Sequence, residues 1–322
     1  MRFRTASRGN HCLKLLGRKS TRGWGLAAAA LAVAALASPL ASPSPAAASQ
    51  DPNPPWPQLL PPGPTTDTTQ PGPVWRCHKA TLKCIDNTIG RMKKLQARFG
   101  CDHRAVFATT YLLLTQQIRK TIRRDPHYFH DNRWLIYEDT VFANYYFRSI
   151  KANAQGKPVP EAWQIAFDAA AKGDANGAQD MLLGINAHVQ RDMPYVVATV
   201  GLRTKKGATR KPDHDVVNQI LSDAYEPIVS AIGARYDSIV TITNASWDPL
   251  DDFGGLEMVK GWREGVWRNA ERLVSAKTDA ERQQVEASIE TNAATWAKMI
   301  AGPQVPPGYR ATRDAYCAAH SR

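Results

Sequence analysis

The chain has 322 residues and a net charge of +12, with 41 Lys and Arg against 29 Asp and Glu. That length can bury a sizeable core, in one large domain or two small ones. Seven of the basic residues (Arg2, Arg4, Arg8, Lys14, Arg18, Lys19 and Arg22) fall in the first 48 residues, which contain no acid. They precede the apolar run Gly25 to Leu40 (GLAAAALAVAALASPL), which has signal-peptide length and is short for a membrane span. Ala46, Ala47 and Ala48 supply small residues for cleavage. Residues 1–48 are therefore taken as a signal peptide for the general secretory route, cut after Ala48, with a retained anchor as the alternative. Without those seven, 34 basic residues face the same 29 acids. That balance is ordinary, so the high pI is no sign of nucleic-acid binding and no nucleic-acid partner is expected. No transmembrane span is expected in the mature chain, which is placed outside the cell, secreted or associated with the envelope.

Residues 49–74, chiefly Gln50 to Val74 (QDPNPPWPQLLPPGPTTDTTQPGPV), are Pro-rich and lack hydrophobic periodicity. They predict an extended, disordered linker. A single all-α domain is expected over residues 75–322. Ile85, Ile89, Met92, Leu95 and Phe99 recur at helical steps within a helix from Lys83 to Phe99. Asp102 can cap a second helix, with Val106, Phe107, Tyr111, Leu112 and Leu114 along it. A third starts at Asp131 or Asn132 and runs through Trp134, Tyr137, Val141, Phe142, Tyr145 and Tyr146. A short one follows over Ala162 to Ala171. Asp174 to Leu202 predicts a long, buried helix that bends at Pro194. Arg203 to Pro212 (RTKKGATRKP) is a loop, and Asp213 caps the helix after it. Asp251 to Gly255 (DDFGG) is a second loop. Two more helices, near Trp262 to Val274 and Asp279 to Ile300, complete an irregular bundle of about eight. Alternating strand residues occur only at Ser238 to Thr243.

Cys12 leaves with the signal, and four cysteines remain, an even number in an exported chain. At 1.5 Å per residue, a helix from Lys83 to Phe99 separates Cys84 from Cys101 by about 25 Å. A disulfide needs Cα atoms within about 7 Å. The pairs expected are Cys77–Cys84 and Cys101–Cys317, the second tying down the C-terminus. No CxxC pairing favours a metal at these thiols.

Four places set polar groups on otherwise apolar helices: His103; Glu138 with Asp139; His188 with Asp192, near Asn186; and Asp213-His214-Asp215, where His214 and Asn218 repeat the spacing of His188 and Asp192. Residues four apart share one helix face. Two such helices, with a carboxylate from a third, would make a pocket of imidazole and carboxylate ligands suited to a divalent metal, zinc or iron. His188, Asp192, His103 and His214 are the candidate ligands, and His188, Asp192 and Asp139 the candidate catalytic residues. Glu138, Asn186, Asn218 and Arg203 are candidate substrate contacts, the last on a basic loop that would admit an anion. A metal would activate a water against an ester or phosphoester of lipid or envelope origin. Without metal, the Asp orients the His for acid–base work. Each place also has a structural explanation: a buried pair holding helix register at His188–Asp192, an N-cap at Asp213 with His214 and Asp215 exposed, ion-pair anchors at Glu138-Asp139, and a backbone contact at His103. A non-enzymatic protein that binds a small or lipid-like molecule is the alternative function. No GxSxG, Walker loop, HExxH or GxGxxG occurs in the mature chain.

CDHRAVFATTYLLLT (101–115), YEDTVFANYYF (137–147), LLGINAHVQRDMP (182–194) and PDHDVVNQIL (212–221) resemble the recurring segments of the domain-of-unknown-function family 5995, which is mainly actinobacterial. The resemblance implies a helical secreted or envelope protein and brings no activity or catalytic residues with it. A remoter likeness, through His188 and Asp192 alone, is to the zinc-dependent phospholipase C and P1-nuclease type. The chain departs from that type in lacking its further His-rich helices and its ligating N-terminus.

Overall fold

A computed structural model describes residues 77, 79–242, 249–302 and 305–320, with the side chains of 242 and 249–253 left aside. The proposed signal segment, the linker and the boundary at Trp75 lie outside the described residues. The fold is all-α. Among the described residues there are ten helices, and the only β pairing is one isolated bridge between Arg203 and Thr209.

Helix α1 (Leu82–Phe99) buries Ile85, Ile89, Met92, Leu95 and Phe99, the stripe that the spacing predicts. Before α2 (Arg104–Arg124), Asp102 Oδ1 accepts the Arg104 amide at 2.9 Å. Asp131 caps α3 (Asn132–Ala154) by accepting the Trp134 amide at 3.0 Å. Helix α4 (Glu161–Lys172) stops at Gly173, whose φ of 66° is a left-handed conformation that favours glycine. The long helix begins later than Asp174, because Asn176 and Gln179 form a reciprocal capping box. It runs without a break through Gly177–Asn186, a π segment Ala187–Asp192 and Met193–Val200, together α5. The irregularity expected at Pro194 lies in the turn just before it.

Helix α6 spans Lys211–Arg235, so Asp213 sits inside its first turn and is not its N-cap. Its carboxylate instead accepts the backbone amides of His130 and Asp131 at 2.7 and 2.8 Å. His214 is 1% exposed, which corrects the expectation of an exposed first turn there. The short α7 (Ile239–Ile242) replaces the strand-like run, whose last residue, Thr243, is outside the described set. Helix α8 (Pro249–Ser275) absorbs DDFGG, which is helical and not a loop. Helix α9 (Asp279–Ala301) starts from a Thr278–Glu281 capping box, and α10 (Tyr309–His320) makes a helix of the C-terminal tail. These additions raise the count above eight. Both disulfides are the expected ones, with Cα separations of 5.7 Å for Cys77–Cys84 and 5.8 Å for Cys101–Cys317.

Helix α5 is the hub, packing against α2, α3, α4, α7, α8 and α9. One core cluster extends from Cys77 to Cys317. No helix among the described residues is long and apolar enough to cross a membrane. The crossing of α5 over α2 depends on Gly184, because a Cβ there would overlap the Phe107 ring. Helix propensity alone makes Gly→Ala stabilising by about 1 kcal/mol in a helix interior. Overpacking reverses the sign, so Gly184→Ala should lower unfolding free energy by about 1–3 kcal/mol in urea titration. Adding Phe107→Leu should recover part of that loss. A Gly184→Ala protein as stable as the parent would show that the helices do not approach this closely.

Candidate functional site

The π segment carries the central pair. It closes through the Met193 amide, which donates to the His188 carbonyl, one residue further back than in an α-helix. His188 Nδ1 then lies 3.1 Å from Asp192 Oδ2. A carboxylate only accepts, so Nδ1 holds the proton and Nε2 keeps its lone pair, with no hydrogen-bond partner among the described residues. Burial holds His188 below its ordinary pKa, although the Asp192 bond pulls the other way. Asp192 is fully buried and satisfied from three sides. Trp163 Nε1 donates to Oδ2 at 2.9 Å, beside His188, while Arg191 donates to Oδ1 at 2.9 Å. The imidazole lies flat on Phe142, with centroids 3.5 Å apart and planes 3° from parallel, and Tyr111 meets it edge-on.

His188 lines a cavity of about 320 Å³ whose walls are mostly aliphatic and aromatic, with Tyr111, Glu138, Asp139 and Arg263 among its polar members. Burial raises the Glu138 carboxyl to about 7, against the pull of Arg263. Asp139 rises to about 8, through burial and then through the neighbouring Glu138 charge. Glu138 Oε1, Asp139 Oδ2 and the Tyr111 hydroxyl have no hydrogen-bond partner among the described residues. Burial and the nearby Asp139 push the Tyr111 phenol far above its usual range. Arg263 is itself buried, and donates to Asn218 Oδ1 at 2.9 Å, to the His214 carbonyl and to the Met193 sulfur at 3.5 Å.

The remaining predicted residues do not join His188 at this cavity. His214 stands behind Arg263, its Nε2 donating to the Arg263 carbonyl at 3.0 Å, and burial followed by the Arg263 charge keeps it well below its ordinary pKa. Asn218 positions Arg263 and does not line the cavity. His103 bonds Asp180 at 2.6 Å, in the region where α10 packs. Burial lifts Asp180 to about 6, with His103 pulling it back. Asn186 ties α5 to α9, donating to the Ala293 carbonyl at 2.8 Å. Arg203 donates to the Gly207 carbonyl and Arg210 to the Arg203 carbonyl, so these arginines of the basic loop brace the turn itself. Among the described residues no three His, Cys, Asp or Glu side chains lie where they could hold a metal ion. The four-ligand set of His188, Asp192, His103 and His214 is therefore not assembled.

Arg263, Tyr111 and Trp163 are the members that sequence reasoning missed. Arg263 had a signal, a cation among Val259, Trp262, Val266 and Trp267 on one helix. Tyr111 and Trp163 look like ordinary core residues at helical spacing, and their polar atoms gain meaning only from the packing.

The model of a family of unknown function, DUF5995, matches residues 85–303, more than half of the chain. The chain belongs to this family. No curated protein and no solved structure matches it. Nothing extends the likeness to the zinc-dependent phospholipase C type beyond the HxxxD element. All four segments noted above fall inside the DUF5995 match, so the cavity is built from family territory.

The acid pair gives this DUF5995 protein a pH signature. Both carboxyls titrate above their unfolded values, so their contribution is complete below about pH 4 and is lost as pH rises through about 7 to 8. His188 and His214 act oppositely, weakening the fold only as pH falls below their ordinary value of 6.5. Between pH 7 and 9 the carboxyl effect is thus isolated from the histidines. Asp139→Asn should flatten the fall in Tm over that interval by several degrees. Losing one proton costs about 1.4 kcal/mol per pH unit, and each kcal/mol moves Tm by about 2–4 °C. Scanning calorimetry of both proteins at each pH measures it. Parallel curves would show that Asp139 is solvated or paired.

Proposed function

We propose that the protein is an exported hydrolase without a metal, acting on the ester of a lipid-like molecule held in the helical cavity. The observation that carries this is a buried imidazole and a buried carboxyl, each with an unpartnered atom, lining one apolar cavity, where burial lowers the pKa of the first and raises that of the second to about 8. Titratable groups driven apart in this way supply a base and an acid at the same pH. In the reaction, His188 Nε2 takes a proton from water as the water oxygen attacks the ester carbonyl. Asp192 holds the resulting imidazolium. The Tyr111 hydroxyl donates to the oxyanion. When the tetrahedral centre collapses, the carbon–oxygen bond to the alcohol breaks and Asp139 protonates the departing oxygen. Ester and water become acid and alcohol, and the proton on His188 returns to Asp139. Export is supported by the two disulfides, which persist in oxidising compartments.

A non-catalytic lipid carrier is the second reading. It is favoured by the shielding of His188 Nε2 and the acid oxygens from solvent. Hydrolysis of p-nitrophenyl butyrate, octanoate and palmitate by the purified protein separates the two. We expect turnover, with octanoate preferred, and a drop in kcat of about 10²–10⁴-fold for His188→Gln and Asp192→Asn. Asp139→Asn, which mimics the protonated acid in shape, should keep the fold and lose rate. No turnover by the parent, or full turnover by folded His188→Gln, would leave the carrier.

A further inference from the structure

The charges around the cavity restrict what can enter it. Arg263 brings one buried positive charge, and its hydrogen bonds go to an amide oxygen, a backbone carbonyl and a thioether, none of which neutralises it. Of the carboxyls lining the cavity, Glu138 is the one electrostatically coupled to it. Asp215, also coupled to Arg263, is held by Lys211 at 2.6 Å. With Glu138 set against Arg263, Asp139 follows directly in the chain and keeps its proton, since a second negative charge would repel the first. The lining residues thus balance one another in charge.

A ligand anion would need a further cation, and among the described lining residues Arg263 is the only Lys or Arg. A ligand cation would need Asp139 to ionise beside Glu138. Burying an unpaired charge costs far more than burying a polar group that finds a hydrogen bond. An ester carbonyl or an alcohol avoids both costs and meets the unpartnered Asp139 and Tyr111 groups. The volume of about 320 Å³ holds about ten non-hydrogen atoms at roughly 30 Å³ each.

We infer that the cavity selects an uncharged amphiphile of medium chain length, whose oxygen-bearing head sits against the acid pair and whose tail lies along the apolar walls. This rests on the cavity being the ligand site, as the proposed function has it, but not on catalysis. The test is the thermal shift of the full exported protein with decanol, decanoate and decyltrimethylammonium, each below its micelle concentration, and with hexadecanol. Decanol should stabilise saturably and bind at least tenfold more tightly than either ion or hexadecanol. Leu221→Trp, which fills the cavity from a partly buried position, should keep a cooperative melt and lose the decanol effect. Decanoate or the ammonium binding as well as decanol would overturn the charge selectivity while leaving the cavity as a ligand site. Hexadecanol matching decanol would overturn the size limit. If no ligand binds, or if Leu221→Trp binds decanol as the parent does, the cavity reading falls along with the inference.

Discussion

A carboxylate at 0% exposure must be satisfied by protein alone, and Asp192 is in that position at the centre of the bundle. Its three donors come from different places. Trp163 reaches it from α4, and His188 and Arg191 from its own helix. Arg191 also holds Glu290 of α9 at 2.8 Å. Meeting the needs of one charge therefore fixes α4, α5 and α9 together and sets the imidazole flat on Phe142 of α3. The acids across the cavity have no such help. Glu138 and Asp139 keep unpartnered oxygens, and burial raises both carboxyls toward neutral pH and above instead. Opposite answers to the same burial problem, one carboxylate held by three donors and the others left with unpartnered oxygens, give the cavity its chemistry.

Much of this was legible in the sequence because it rests on local pattern. The stripe Ile85 to Phe99 marks a helix face, and the length of that helix decides the disulfide pairing. His188–Asp192 and Glu138-Asp139 stood out as charges set among apolar neighbours, and all four side chains are buried. The failures share a physical origin. An Asp near a helix start satisfies local capping rules, yet the Asp213 carboxylate is taken by amides more than eighty residues earlier in the chain. His214 is covered by a helix that arrives nearly fifty residues later. DDFGG carries loop composition, but its segment is helical, a case of tertiary context overriding weak local propensity.

The expected four-ligand set does not converge among the described residues, for a related reason. A spacing of four guarantees that two side chains share a face, but convergence of two such faces depends on crossing geometry that no single helix encodes. Here each histidine has its own partner: His103 takes Asp180, His188 takes Asp192, and His214 takes the Arg263 carbonyl. Among the described residues the helices meet around an apolar cavity and not around a ligand cluster.

The π segment has a consequence for how α5 can vary. Each residue of an α-helix turns the chain by about 100°, so one extra residue absorbed in a widened turn puts the sequence after it out of step with a single helical wheel by that amount. Gly177–Asn186 and Met193–Val200 therefore cannot be placed on one helical wheel, and a stripe traced through the first part misses its continuation in the second. Pro194 suits this junction, because its missing amide is a donor that the widened turn does not need. Removing a single residue between Ala187 and Asp192 would restore regular winding and leave the second part near its present azimuth.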